Sequence, residues 1–232
     1  MSTLSVKLRL LIGAVIFAGV AVVAGAAASW DSEDALFLGA VVAIIAVSEL
    51  WDFAPVANAR VSVSIGLILA AGTFSGLPGM AVAAAAVGGF DFLLHRKPAF
   101  KAAFNLGVLL ITGAVFVGVL EAFEGNRAEG DWLVLVGPAV LGAICAFAVN
   151  SGLVSLAISI DKGEGVLAVW DSRFRWMLPY YAILGVIAVF LAASYDRWEL
   201  GGFALLLAPL AMAWLAIRQH IDNATRSALR PS

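Results

Sequence analysis

Glu49, Asp91, Asn105 and Asn150 stand inside or at the ends of long apolar runs of this chain, with Asp52, Arg60 and Ser151 beside them. Carboxylates and amides are expensive to hold in hydrocarbon, so each marks a place where a solute, an ion or a partner group could be met. If Glu49, Asp91, Asn105 and Asn150 with Ser151 line one space, that space is the candidate ligand site. Two plainer explanations compete. Asp91 could pair with His95 one turn on or with Arg96 at headgroup level. Asn150 could form an interhelical hydrogen bond of about 1 kcal/mol that only glues the bundle.

Bond-making chemistry has no recognisable constellation here. His95 and His220 both fall at the ends of apolar runs, so no intramembrane pair could ligate a haem from two sides. The last two runs carry no lysine for a retinal Schiff base. There is no H-E-x-x-H, phosphate-cradling P-loop, G-x-S-x-G elbow or paired cysteine spacing. Cys145 is the sole cysteine, which excludes a disulfide framework and a cysteine-rich metal site. With 14 Lys and Arg against 16 Asp and Glu, the net charge of -2 offers no basic surface for nucleic acid. No catalytic residue, cofactor, metal or nucleic-acid partner is expected.

The elements that must carry these residues follow from composition. Of 232 residues, 62% are hydrophobic and 13% charged, with a mean hydropathy of +1.00, about half the roughly 25% charge of a soluble domain. Eight runs have little or no charge: Leu10 to Ser29, Ala35 to Leu50, Val61 to Gly76, Met80 to Leu94, Ala102 to Leu120, Trp132 to Ile160, Trp176 to Ser194 and Gly202 to Ile217. Barrel strands would alternate with period two over about ten residues, and Leu10 to Val23 shows no such alternation. The expectation is an all-α, polytopic transmembrane bundle of about eight spans, a single domain over 1–232. The first run follows Lys7 and Arg9 like a secretory signal, but it exceeds the usual apolar region of about 7 to 15 residues and is expected to be retained.

Threading the runs alternately from a cytoplasmic N-terminus puts 12 of the 14 cations on one side and only Arg127 and Arg197 on the other. By the positive-inside rule both termini are then cytoplasmic. Trp30, Trp51, Trp132, Trp176 and Trp198 fall near span ends, at the interfacial depth that indole prefers. The third and fourth runs are short, about 24 Å at 1.5 Å per residue against a core of about 30 Å. They are joined by Gly76-Leu77-Pro78-Gly79, which predicts a hairpin, sunken or partly re-entrant. Its many small residues, with Gly72-x-x-x-Gly76, favour close packing at the centre of the bundle.

The inner loop from Asp161 to Arg175 places Val166, Leu167, Val169, Trp170 and Phe174 between Lys162 and the pair Arg173 and Arg175. It suits an interfacial anchor with its cations on lipid phosphates. With the tail from Arg218 it is also the only cytoplasmic segment long enough to dock a protein partner, through Trp170, Arg173, Arg175 and Arg218.

The stretch from Glu49 through Trp51, Asp52, Pro55 and Arg60 to Ser64, the turn at Gly76 to Gly79, the segment Arg96 to Asn105, and Asn150 resemble the N-terminal membrane sensor domains that precede HD-GYP phosphodiesterase, diguanylate cyclase or histidine kinase modules in bacteria. The resemblance spans roughly Glu49 to the C-terminus. It implies a bacterial inner-membrane location, with Glu49, Ser62, Ser64, Asn105 and Asn150 at recurrent polar positions. Three residues after Asn105, where those domains would have glutamine, stands Val108. Only 15 residues, Arg218 to Ser232, follow the last run, so no output domain is expected and a signal would pass to a separate polypeptide. Two alternatives remain open: a solute-binding component similar to the substrate subunits of energy-coupling-factor importers, and an accessory subunit of a larger membrane complex.

Overall fold

The computed structural model describes residues 4–30, 35–50, 64–95, 98–124 and 131–202, and every regular element among them is helical. In order these are α1 (Val6–Ala28), α2 (Ala35–Leu50), α3 (Ser64–His95), α4 (Ala99–Glu124), α5 (Val136–Lys162), the short α6 (Val166–Arg173) and α7 (178–202). Single 3-10 turns at Trp132–Leu135 and Arg175–Met177 lead into α5 and α7. Without water to satisfy the backbone, an apolar run in lipid must close its own hydrogen bonds, and the helix does so residue by residue. Local signals set the ends: the Ser5 hydroxyl accepts from the Leu8 N–H at 3.2 Å to start α1, and Gly163, at φ 73°, ends α5 in the left-handed conformation.

Among the described residues five stretches are, by length and composition, long and apolar enough to cross a membrane: Val6–Ala28, Ser64–Leu94, Ala99–Phe123, Trp132–Lys162 and Arg175–Gly202. The second run is the 16-residue α2, and the eighth lies beyond the described residues after Gly202.

The third and fourth runs form α3, broken at Gly76, whose φ of 60° and ψ of -146° suit glycine almost alone. Residues eight apart in a straight helix are separated by about 12 Å. Here a methyl group on Gly79 would lie 2.6 Å from the Ala71 carbonyl oxygen, and one on Gly72 would lie 3.4 Å from the Met80 Cβ. The chain therefore doubles back at Gly76, as the Gly-Leu-Pro-Gly turn predicts. Of these five stretches the hairpin is the most enclosed, 67% buried over its apolar centre against 22% for α1, with Met80, Ala83 and Ala84 fully covered.

A second turn of the same register was hidden from sequence reading. Glu199 has a φ of 49°, and a methyl group on Gly202 would run into the backbone of Ser194, again eight residues back. Glutamate gains nothing from the left-handed region, which costs L-residues roughly 1–2 kcal/mol. Glu199→Gly is accordingly expected to stabilise the protein by up to about 1 kcal/mol, the relief being partly offset by glycine's entropy. Denaturant titration of the two proteins checks the sign.

Side-chain contacts sort the helix ends into two groups. At one end Gly25 of α1 meets Leu77. Phe37 at the start of α2, Phe74 before the hairpin turn, Trp132 before α5 and Tyr195 late in α7 form one aromatic group there, with ring centroids 4.4–6.5 Å apart. The Trp132 indole also donates to Asp196 at 2.9 Å. At the opposite end lie the starts of α1 and α4, joined through Leu8, Ile12 and Phe104 to the last turns of α5, together with α6 and the junction of α2 with α3. Of the seven Lys and Arg among the described residues, Lys7, Arg9, Lys101, Lys162, Arg173 and Arg175 are at this end and only Arg197 is at the other.

Candidate functional site

The polar side chains raised by the sequence gather mainly at the end that carries α6. Along α5 the adjacent residues Asn150 and Ser151 point to two different neighbours. The Asn150 amide donates to the Tyr181 hydroxyl on α7 at 2.7 Å. The Ser151 hydroxyl accepts from the Trp170 indole N–H of α6 at 2.8 Å and donates to the Phe147 carbonyl at 2.6 Å. Phe147, one turn earlier, has its ring 5.0 Å from that of Tyr181 and 6.1 Å from that of Trp170. Phe147, Ser151, Val169 and Tyr181 are buried, so α5, α6 and α7 share one satisfied aromatic and hydrogen-bonded unit. One turn below, the Ser155 hydroxyl is buried with no hydrogen-bond partner.

Trp170 is therefore turned inward and half-buried, whereas Arg173 and Arg175 are exposed. Arg175 pairs with Asp171 one turn earlier at 3.0 Å, an exposed contact of the kind that contributes little. Arg218 lies outside the described residues, as do Asp52, Arg60, Ser62 and Arg96.

A second polar group joins α2 to α3. The Ser64 hydroxyl, buried at 1% exposure, donates to a Glu49 carboxylate oxygen at 2.6 Å. Ser48 lies 3.4 Å from the same hydroxyl and donates to the Ile45 carbonyl at 2.8 Å. Asp91 sits one turn before the end of α3 and Asn105 in the second turn of α4, both partly exposed. The hydrogen bonds described thus place Glu49 with Ser64 and Asn150 with Tyr181, as two pairs on different helices.

Sequence reading missed Phe147, Tyr181 and the inward face of Trp170. A faint signal existed in Tyr180-Tyr181, the only tyrosine pair, set early in an apolar run. The groups assembled around Asn150 are neutral amide, phenol, indole and hydroxyl: they can orient a partner or a conformation by hydrogen bonding, but they contain no base to activate a nucleophile. Among the described residues no three His, Cys, Asp or Glu side chains are grouped so as to hold a metal ion. Compared with family models, curated proteins and solved structures, the chain finds no match.

Proposed function

We propose that this chain is a non-enzymatic, sensor-like module of a bacterial inner membrane, crossing it eight times with both termini in the cytoplasm and acting through a separate partner at the end that carries α6. The observation that carries this reading is the joint at Asn150 and Ser151. Consecutive residues of one long apolar helix tie a neighbouring span, through Tyr181, and a surface helix, through Trp170. A shift of α5 against α7 moves the dock of α6 with it, which is what a module passing information to a cytoplasmic partner requires. The back-and-forth course of the described helices and the six cations at the end that carries α6 support the orientation. The resemblance to signal-input domains supports the class.

A photocrosslinker at Leu167, which is 82% exposed, is expected to capture a discrete protein in native membranes, and Asn150→Leu is expected to weaken that capture several-fold. A chain that purifies alone and, in liposomes, takes up a solute in an Asn150-dependent way would replace this reading with a transporter.

A further inference from the structure

The exposed face of α1 is built as a stripe with a charged crown. Val6, Leu10 and Phe17 are 67%, 69% and 77% exposed, and at 100° per residue they fall within about 40° of one another. Leu8, Ile12, Val15 and Gly19 occupy the opposite face and are buried. Lys7 and Arg9 project on either flank of the stripe at its polar end, and both are exposed. Arg9 spends one donor on the Leu4 carbonyl at 3.0 Å, leaving the rest of its guanidinium for a ligand. Among the described residues neither Lys7 nor Arg9 has an acidic partner, whereas Arg175 has Asp171. From Val6 to Phe17 the stripe rises about 16 Å, half the thickness of the hydrocarbon core.

We propose that this face of α1 binds an anionic glycerophospholipid, its phosphate held between Lys7 and Arg9, and its acyl chains laid along Val6, Leu10 and Phe17. A length of one leaflet, crowned by unpaired cations, matches a lipid. A partner helix would seek small residues spaced four apart, and between Val6 and Phe17 this face has no such pair. The proposal is independent of what the module signals to.

Native mass spectrometry of the full chain in detergent tests it, with phosphatidylglycerol and phosphatidylcholine as probes. Phosphatidylglycerol is expected to bind at least tenfold more tightly. Lys7→Gln combined with Arg9→Gln should remove about 25-fold of its affinity, about fivefold for each cation at an anionic surface, with the thermal transition unmoved. Arg197→Gln, at the other end, should leave it unchanged. Equal affinity for the two lipids, or an unaltered preference in the double variant, would overturn the proposal. So would displacement by an equal concentration of soluble glycerol phosphate, which would assign a bare phosphate site. Disulfide-linked dimers from Leu10→Cys in native membranes would assign the stripe to a second copy and overturn it as well.

Discussion

Trp170→Ala is expected to release α6 from the bundle. A helix of eight residues is well below the 12 to 15 or so that hold together alone in water, so α6 exists because it is docked. Its dock consists of Val169, buried at 1% exposure, and the Trp170 ring against Phe147 and Ser151. Truncating a packed tryptophan typically costs about 3–5 kcal/mol, more than so short a helix can spare. Amide hydrogen exchange over 166–173 should then accelerate at least about 100-fold, the equivalent of roughly 3 kcal/mol of local stability. Ser151→Ala, which removes only the hydrogen-bond acceptor, should accelerate it about fivefold. Leu167→Ala, at an exposed site, should not change it. Unchanged exchange in the Trp170 variant would mean that α6 is held by something other than this dock, and the coupling proposed for the joint would fail with it.

Gly107→Ala should destabilise the whole protein by about 2 kcal/mol, and Gly107→Leu by more. α1 and α4 cross with backbone against backbone: a methyl group on Gly107 would stand 2.8 Å from the Val15 carbonyl oxygen, and one on Gly19 would stand 2.9 Å from the Gly107 Cα. Neither neighbour is the end of a flexible side chain, so the helices themselves must separate, and forced overpacking of this kind costs roughly 1–3 kcal/mol. Close approach matters more here than in a water-soluble core, because lipid tails are as apolar as leucine and helix association draws mainly on packing. Gly118→Ala in the same helix and Gly13→Ala in α1 have nothing within 4 Å of the new methyl group. Both should be neutral or stabilising by up to about 1 kcal/mol, since alanine loses less backbone entropy than glycine in a helix interior. Unfolding by denaturing detergent, run on all four proteins, separates the two classes, and equal losses at Gly107 and Gly118 would contradict the crossing.

What sequence could foresee here follows from what the bilayer writes into it. Helix length and apolar composition are dictated by the solvent, so the runs Leu10 to Ser29 and Ala35 to Leu50 map closely onto α1 and α2. The Gly76 turn was legible because glycine and proline announce a positive φ and a helix start. The Glu199 turn was not, since glutamate carries no such mark and only Gly202, the small residue needed three positions later, betrays it. The polar site was half legible. Glu49 and Asn150 stand out against hydrocarbon by type alone, but their partners, Ser64 and Tyr181, lie 15 and 31 residues away. No local pattern encodes that separation. The Trp170–Ser151 contact was not legible because an indole in a charged loop reads the same whether it faces a membrane, a partner or, as here, a serine on the preceding helix.

The partner that α1 needs is made late. Gly107 follows Gly19 by 88 positions (107 − 19), which at about 5–20 residues per second means roughly 4 to 18 seconds of synthesis before the crossing can form. For that interval α1 must remain in the membrane without its main contact. The face it will later bury therefore has to be as acceptable to lipid as the face it leaves exposed. Leu8, Ile12, Val15, Gly19 and Ala26 meet that condition: none of them carries a side-chain hydrogen-bonding group that would be stranded during the wait. The absence of polar glue between α1 and α4, and the reliance on bare backbone proximity at Gly19 and Gly107, is what a helix would need if it must first survive alone and only then be gripped.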